Sequence, residues 1–388
     1  MLKAFKYRLY PSDEQSVLIN KHINSCRFIY NLALETKQIA YIGNKVNLNC
    51  FDLIKQLPDL KKECIWLNEI NSQSLQQPIR NLDNAFTRFF KGQGNFPNFK
   101  KKSHGGSFNI PQNVFLENKK LVIPKFKEGI KIVLHRSIKG TIRQATINKT
   151  PTGKYFVSIL CETREKIPDK QKIKESTTIG IDLGIKTYLA TSDGKEFDNP
   201  KFLCKAQSKL KYVQRKYSKH KGKKTKQRLV ILHEKVVNQR KDFLHKISTK
   251  LIRENQSIAI EDLNINGMTK NHHLAQSIID VSWGIFIVML EYKAEWYGKN
   301  ILRIGRFEPS SKLCSKCGYI NKELTLKDRE WTCPECGSIL DRDVNAAINI
   351  KNFALKNHLS VGRRLKNQGK LPTLAGALTP DTSQFAAG

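Results

Sequence analysis

Three acidic residues, far apart in the chain, have local contexts that place a carboxylate at one edge of a single sheet. Asp182 interrupts the apolar strand pattern Thr178-Ile-Gly-Ile-Asp182, and Glu261 closes a second one, Ser257-Ile-Ala-Ile-Glu261. Asp343 opens a helical pattern whose apolar residues would pack on that sheet. Because burying an unpaired carboxylate is costly, acids embedded in strands usually hold a cation.

The order of these acids predicts a site for two divalent cations. Each acid alone is more often an ordinary surface or capping residue, but together they follow the order in which a ribonuclease-H-like sheet assembles its metal site. Carboxylate oxygens suit Mg²⁺ or Mn²⁺. Two such ions about 4 Å apart activate water and stabilise the leaving oxygen of a phosphodiester. We expect Asp182 to bridge them, with Glu261 and Asp343 each completing one.

Neighbouring residues leave alternatives open. Arg342 is a candidate contact to the scissile phosphate, or equally a partner of Asp341, and Asn345 is a candidate to orient a metal ligand. The segment 180–184 also matches the first phosphate loop of actin-like ATPases, which share this sheet. Those ATPases need a second Asp-x-Gly hairpin further downstream, and Asp193-Gly194 is too close, so the nuclease interpretation is favoured.

Four cysteines form a second metal pattern. Cys314-Ser-Lys-Cys317-Gly and Cys333-Pro-Glu-Cys336-Gly are knuckles separated by fifteen residues, the spacing of a zinc ribbon. Four thiolates leave no open coordination position, so this Zn²⁺ would be structural. The ribbon lies between Glu261 and Asp343 and is therefore inserted into the domain that carries the acids. The remaining five cysteines are scattered and do not suggest a disulfide framework.

Composition indicates a polyanionic partner. The 388 residues include 68 Lys and Arg against 34 Asp and Glu, a formal charge of +34, for which nucleic acid is the simplest explanation. The longest uninterrupted apolar run is Ile285 to Leu290, too short to cross a bilayer. The N-terminus lacks the apolar region of a secretory signal. We therefore expect no membrane partner and a cytoplasmic location.

Changes in periodicity predict an α+β chain of several domains. The first strand pattern ends at Pro11 and is followed by a capping box at Ser12–Gln15; helical, then alternating, then mixed α/β patterns come after it. The predicted boundaries are: 1–10 with 105–165, a small β-barrel or sheet; 11–104, a helical lobe; 166–176, a linker; 177–312 with 339–356, an α/β domain; 313–338, the zinc ribbon; and 357–388, a disordered tail.

One stretch of the α/β domain is strongly basic. Residues 201–228 hold twelve Lys or Arg, and no acid occurs between Asp198 and Glu234. An apolar face persists through the stretch, which predicts a structured helix that breaks near Lys221 and contacts phosphates, rather than a solvated charge run. Charge alone suggests several candidate nucleic-acid contacts: Lys100, Lys101, Lys102, Arg215 and Lys216.

Motifs over nearly the whole chain carry a family resemblance. They are Tyr7-Arg-Leu-Tyr-Pro11, Arg27-Phe-Ile-Tyr-Asn31, Phe96-Pro-Asn-Phe-Lys100, Gly180-Ile-Asp-Leu-Gly184, Ile260-Glu-Asp-Leu-Asn264, Ser310-Ser-Lys-Leu-Cys314 and Asp341-Arg-Asp-Val-Asn-Ala-Ala-Ile-Asn349. In this order they resemble the TnpB (OrfB-type) family of transposon-encoded RNA-guided DNA endonucleases, relatives of type V CRISPR effectors.

The resemblance implies a ribonuclease-H-like RuvC nuclease domain, a wedge β-barrel, a helical recognition lobe and a zinc-containing target-nucleic-acid-binding module. It maps the catalytic carboxylates onto Asp182, Glu261 and Asp343. It further implies a guide RNA derived from the transposon end, a DNA target beside a short adjacent motif, and a monomer bound to one RNA.

Two other functions remain open from the sequence. The same carboxylates could support strand transfer by a transposase that acts on transposon ends. A zinc-stabilised regulator that binds DNA without cleaving it would share the charge, but relatives of that kind lose catalytic acids, and all three are present here.

Overall fold

The computed structural model describes residues 1–102, 105–325 and 327–368, without the side chains of residues 266, 273 and 359–368. Two compact units divide this part of the chain. The first contains residues 1–166, and the second begins at Ile167. Both units combine helices and strands, as the α+β expectation requires.

The first unit is built on a seven-stranded antiparallel sheet. Its strands are β1 (Leu2–Tyr10), β2 (Gly106–Ile110), β3 (Phe115–Glu117), β4 (Lys120–Ile123), β5 (Phe126–Val133), β6 (Thr141–Lys149) and β7 (Tyr155–Glu162). The order is β2-β6-β7-β1-β5-β4-β3. Strand β1 therefore lies between β7 and β5, and the helices that follow it in sequence are an insertion, as predicted. The end strands β2 and β3 do not pair in the described residues, so the sheet is open and the predicted barrel is not closed.

Four helices follow β1 in the first unit: α1 (Asp13–Asn44), α2 (Cys50–Lys55), α3 (Leu57–Glu63) and α4 (Ser72–Phe90). The predicted capping box is present, since the Ser12 side chain accepts from the Gln15 amide and the Gln15 side chain accepts from the Ser12 amide. The early part of α1 packs on the sheet through residues such as Ile19 and Ile23. Its later part packs against α4, with Leu34 and Leu82 in one core.

The second unit contains a mixed five-stranded sheet. Its strands are β8 (Thr178–Leu183), β9 (Thr187–Thr191), β10 (Glu196–Asp198), β11 (Ser257–Glu261) and β12 (Asn300–Ile304), in the order β10-β9-β8-β11-β12. Strands β8, β9 and β10 are antiparallel, whereas β8, β11 and β12 run parallel. The parallel strands bring their carboxyl ends, and therefore the ends of β8 and β11, to one edge.

Six helices accompany this sheet: α5 (Phe202–His220), α6 (Lys223–Glu254), α7 (Ile265–Met268), α8 (His272–Val281), α9 (Trp283–Trp296) and α10 (Arg342–Gln368). The basic stretch is helical, and it breaks at Lys221 and Gly222 as predicted. By length and composition, Leu274–Trp296 could cross a membrane. In the structure α8 and α9 supply the core of the unit, where Phe286 and Leu290 are fully buried, and this burial accounts for their apolar composition.

Two predicted boundaries were wrong. Strand β13 (Glu330–Thr332) pairs with β14 (Ile339–Asp341) in a separate hairpin, so the ribbon extends to Asp341 rather than 338. The returning strand is needed because Leu340 lies opposite Trp331 and both are buried in the ribbon core. Helix α10 continues to Gln368, past the predicted start of the tail at 357. Residues 357–368 contain no proline and include several helix-forming residues. The rest of the predicted tail, 369–388, lies outside the described residues.

Candidate active site

Strand register places Asp182 and Glu261 side by side. Strands β8 and β11 are parallel neighbours, and Ala259 lies opposite Gly180. Extending this register by two residues along each strand would set Glu261 opposite Asp182, and the charge of Glu261 does raise the pKa of Asp182. Residues two apart on a strand face the same side of the sheet, so both acidic side chains lie on the face to which Gly180 belongs.

Helix α10 covers that face, and it carries Asp343. A Cβ atom on Gly180 would lie 2.0 Å from the carbonyl oxygen of Ala347 and 2.8 Å from the amide nitrogen of Lys351, so glycine is required for this close approach of helix and strand. Asp343 precedes Ala347 by one helical turn and therefore lies on the same side of the helix. The acids predicted to form one site are thus brought to one region of the second unit.

The negative charges of the acids act on one another. Burial raises the pKa of Asp182 from 3.8 to about 7, and the negative charges of Asp343 and Glu261 add to this, while the positive charge of Arg342 acts in the opposite direction. The pKa of Glu261 is also raised, first by burial and then by Asp262. The raised pKa means that the surrounding protein does not fully stabilise the negative charge of Asp182. A bound cation would stabilise this ionised form.

The spacing of the acids bears on how they could hold ions. Among the described residues, the four ribbon cysteines are the sole group of three or more His, Cys, Asp or Glu whose ligand atoms all lie within 4.8 Å of one another. The three carboxylates do not form a group of this kind among the described residues. Carboxylates that hold two different ions would not need such proximity. The oxygen donor set fits hard divalent cations.

Arg329 also contacts the site, and no sequence pattern indicates it. Its guanidinium lies 3.2 Å from one carboxylate oxygen of Asp343 and donates to that carboxylate. The main chain fixes this position, since the Arg342 amide donates to the Arg329 carbonyl oxygen at 2.7 Å. An arginine just before the second cysteine pair has no distinctive spacing relative to the acids, so only the folded ribbon reveals the contact.

Three residues near the acids have other partners. Arg342 donates to the Thr325 carbonyl oxygen at 3.1 Å, and its buried Nε has no hydrogen-bond partner. Asn345 lies beside the ribbon: its side chain donates to the Leu313 carbonyl oxygen and accepts from the Ser315 amide, which fixes the backbone on both sides of the candidate metal ligand Cys314. Asp262 binds two arginines instead of joining Glu261, and these are Arg303 at 3.0 Å and Arg306 at 3.2 Å.

The predicted cysteine cluster has the geometry of a tetrahedral metal site. The sulfur atoms of Cys314 and Cys336 are 3.8 Å apart, and those of Cys317 and Cys333 are 3.6 Å apart. Four sulfur atoms at Zn–S distances of about 2.3 Å around one ion would be separated by about 3.8 Å, whereas a disulfide needs about 2.0 Å. Hydrogen bonds with the side chain and the backbone of Ser338 lower the pKa of the Cys336 thiol to about 6, which favours the thiolate that metals bind.

Matching backbone turns build the two knuckles. The Gly318 amide donates to the Cys314 carbonyl oxygen at 2.9 Å, and the Gly337 amide donates to the Cys333 carbonyl oxygen at 2.8 Å. Both glycines have positive φ, +83° and +68°, a conformation that other residues adopt at a cost. The C-x-x-C-G spacing therefore encodes a turn that lets two thiolates converge.

The candidate nucleic-acid contacts lie on both units. Arg215 and Lys216 are exposed on α5, in the second unit. Lys100, Lys101 and Lys102 are exposed in the first unit, and the ammonium of Lys100 lies 4.0 Å from the centre of the Tyr30 ring. All five side chains are accessible to a polyanion.

Family models match three segments of the chain. Residues 158–272 match a family described as "Probable transposase", and residues 283–350 match the "Cas12f1-like, TNB domain". Residues 1–45 match a model described as "Helix-turn-helix domain". In this chain those residues form strand β1 and the single continuous helix α1, so the described structure of this segment does not contain a helix-turn-helix.

Related proteins align over almost their full length. A protein from Streptomyces pristinaespiralis named "Putative RNA-guided DNA endonuclease" is 38% identical and covers 90% of this chain and 88% of its own. "Putative RNA-guided DNA endonuclease InsQ" from Escherichia coli K12 is 29% identical, and the alignment covers 90% of this chain and 91% of that protein. The fold resembles the protein in the "Cryo-EM structure of the Cas12f1-sgRNA-target DNA complex", with a TM-score of 0.55 at 14% identity, covering 91% of this chain and 99% of that chain.

Proposed function

The chain belongs to the TnpB (OrfB-type) family of transposon-associated RNA-guided DNA endonucleases, and on that premise we propose that it cleaves DNA complementary to a guide RNA from its transposon end, next to a short adjacent motif. Hydrolysis of the phosphodiester bond would depend on divalent metal ions. The second unit would contain the RuvC nuclease, and the first unit would contribute the wedge and the recognition lobe. One protein would bind one RNA, in the cytoplasm.

The observation that carries this proposal is the juxtaposition of Asp182, Glu261 and Asp343. Neighbouring parallel strands carry the first two, close packing at Gly180 brings in the helix of the third, and the charges of Glu261 and Asp343 both raise the pKa of Asp182. A structural role explains this poorly, since three neighbouring carboxylates repel one another and destabilise the fold unless a cation joins them.

Asp182, Glu261 and Asp343 would hold two Mg²⁺ or Mn²⁺ ions, with Asp182 shared between them. When bound, such ions supply an activated water and charge stabilisation for the leaving oxygen. The protein's own contribution is positional. Parallel strands fix Asp182 and Glu261, and α10 fixes Asp343. Arg342, whose buried Nε lacks a partner, would contact the scissile phosphate, and Arg329 would pair with Asp343 until an ion binds there.

The four cysteines would hold one structural Zn²⁺. The ribbon and the acids are coupled through α10, because Asn345 and Asn349 bind the segment that leads into the first knuckle: Asn349 donates to the Ser310 and Leu313 carbonyl oxygens. Loss of the Zn²⁺ would therefore disturb the helix that carries Asp343 as well as the ribbon itself.

Binding of the guide and target would rest on charge. The basic helices α5 and α6, including Arg215 and Lys216, and the segment with Lys100, Lys101 and Lys102 would contact phosphates of an RNA–DNA heteroduplex. Base pairing would then select the sequence, and the protein would recognise the duplex mainly through its backbone.

The first experiment is to sequence the RNA that co-purifies with the protein expressed together with its flanking DNA. One dominant species ending in variable sequence supplies the guide. A duplex complementary to that guide should be cut in the presence of Mg²⁺. A random mixture of cellular RNA, with no guided cutting, contradicts the proposal.

Two adjacent acids offer a matched pair of variants for this assay. Glu261→Gln should abolish cleavage, whereas Asp262→Asn should largely preserve it, since Asp262 pairs with Arg303 and Arg306. Equal cleavage by Glu261→Gln and wild type would refute the site. Because one matching family is described as a transposase, labelled transposon ends without RNA belong in the same experiment, and their joining would favour strand transfer instead.

A further inference from the structure

Four phenylalanine rings form a cluster at the end of α4, and part of it faces solvent. We name Phe86, Phe89, Phe90 and Phe96 the aromatic cluster. Phe96 meets Phe86 and Phe89 edge-on, with ring centres 5.4 and 5.3 Å apart. Phe86 is anchored in the helical core, but Phe90 is 75% exposed and Phe96 is 43% exposed. Exposing so much aromatic surface is unfavourable unless a partner covers it.

The loop that supplies Phe96 is fixed to the rest of the unit. The Asn31 side chain of α1 accepts a hydrogen bond from the Lys100 amide at 2.8 Å and donates to the Lys100 carbonyl oxygen at 3.1 Å. This bidentate contact holds the loop end beside α1. The exposed rings are therefore presented on a preformed surface, which lowers the entropy cost of binding.

Charge around the aromatic cluster identifies the chemistry of its partner. Between Arg80 and Lys102 the chain has six Lys or Arg and a single acid, Asp83. That acid lies 3.7 Å from the ammonium of Lys37, so it offsets little of the local charge. Arg88 and Lys91 are exposed next to Phe90 in sequence. A second copy of this chain, at +34, would meet this surface with charge of the same sign, which disfavours self-association here.

We propose that the aromatic cluster is a stacking platform for unpaired RNA bases, with Phe90 as the ring that contacts a base. This inference rests on the proposed function, which supplies a resident RNA. In a duplex the base faces are already stacked, so exposed rings select unpaired nucleotides. Proteins that recognise RNA loops commonly stack splayed bases on aromatic side chains, and the surrounding Arg88 and Lys91 provide phosphate contacts.

The test is a fluorescence-anisotropy titration of purified protein with three probes: single-stranded oligouridine of roughly 15 nucleotides, oligothymidine of equal length, and an RNA duplex of equal length. Phe90→Ala should weaken binding of oligouridine by about 5- to 150-fold, the effect of losing one stacked base. Binding of the duplex should change little, because its bases are already stacked. The salt dependence of oligouridine binding should also change little, because no charge is removed. Phe90→Trp should restore binding.

Matched variants separate stacking from general damage. Phe115→Ala removes another exposed phenylalanine of the same unit, 59% exposed on β3, and should leave oligouridine binding unchanged. Lys91→Gln should instead reduce the salt dependence of binding, equally for the single strands and for the duplex.

Three outcomes would overturn the proposal: no loss with Phe90→Ala, an equal loss for the duplex, or stronger binding of oligothymidine than of oligouridine. The probes are independent of any guide, so the result stands apart from guided cleavage. If the protein does not cut DNA but Phe90→Ala weakens oligouridine binding, the proposed function is refuted and the proposed stacking platform is still supported.

Discussion

Replacing Gly180 by alanine should separate α10 from β8 and displace Asp343. The added Cβ would lie 2.0 Å from the Ala347 carbonyl oxygen and 2.9 Å from the Lys351 Cβ. Non-bonded atoms prefer separations of about 3.5–4.0 Å, so the helix must shift by at least about 1 Å. Both clashing groups belong to regular elements, and no side-chain rotation can remove the contact with the carbonyl.

The expected effects of Gly180→Ala are on activity and on stability. A misplacement of about 1 Å at a catalytic group costs about 100-fold in rate, and overpacking costs about 1–3 kcal/mol. At roughly 2–4 °C per kcal/mol for a unit of this size, the melting temperature should fall by about 2–12 °C. Single-turnover cleavage of a guide-matched duplex, measured well below both melting temperatures, separates the two effects.

Gly284→Ala is the matched control for this experiment. It places a Cβ in α9 of the same unit, where the nearest atom is 3.5 Å away, an ordinary contact, and alanine is the better helix former. The Gly284→Ala variant should cleave DNA at the wild-type rate, and its melting temperature should not be lower than that of the wild type. Cleavage by Gly180→Ala within about threefold of wild type would refute the inference that this close approach positions Asp343.

Three further predictions concern the acids and the ribbon. The pKa of Asp182 is raised from 3.8 to about 7 in the folded state, so without divalent ions the free energy of unfolding should fall as pH rises from 4 to 7. Asp182→Asn should remove much of this fall, and denaturant titrations in chelator check it; an unchanged pH profile would contradict the assignment. Arg329→Gln should tighten Mn²⁺ binding about 1.4- to 5-fold, since the ion no longer competes with a partly exposed ion pair. Titration calorimetry without nucleic acid measures this, and weaker binding would argue that Arg329 holds Asp343 in its binding position. Cys333→Ser should reduce bound zinc from one per chain by elemental analysis and lower cleavage through α10, whereas Cys204→Ser, an exposed cysteine outside the cluster, should change neither.

Local patterns in the sequence were sufficient for several features. The capping box at Ser12 forms between residues three apart, and the break at Lys221 lies within the basic stretch itself. The cysteine knuckles likewise depend on turns of five residues. Such features need only backbone preferences and short-range hydrogen bonds, so neighbouring residue types encode them.

Contacts between distant segments were not accessible in this way. The sequence suggested that Asn345 would orient a metal ligand but did not say which one. The packing of α10 against the ribbon decides this, and the Asn345 amide fixes the backbone around Cys314. Arg329 gave no indication of its contact with Asp343, since the ribbon hairpin sets that distance. The open order of the first sheet depends on which strands pair across long separations.

The sequence by itself determined the chemistry available to this protein: three carboxylates, four thiolates, a large positive charge and the periodicity of the elements that carry them. Residue type and spacing express these properties directly. Tertiary structure alone decided their proximity. Asp182 and Glu261 become neighbours through the register of β8 and β11, and Asp343 joins them because Gly180 lets α10 approach the sheet. Register and helix packing are settled by burial and close packing over the whole unit, and no local pattern contains that information.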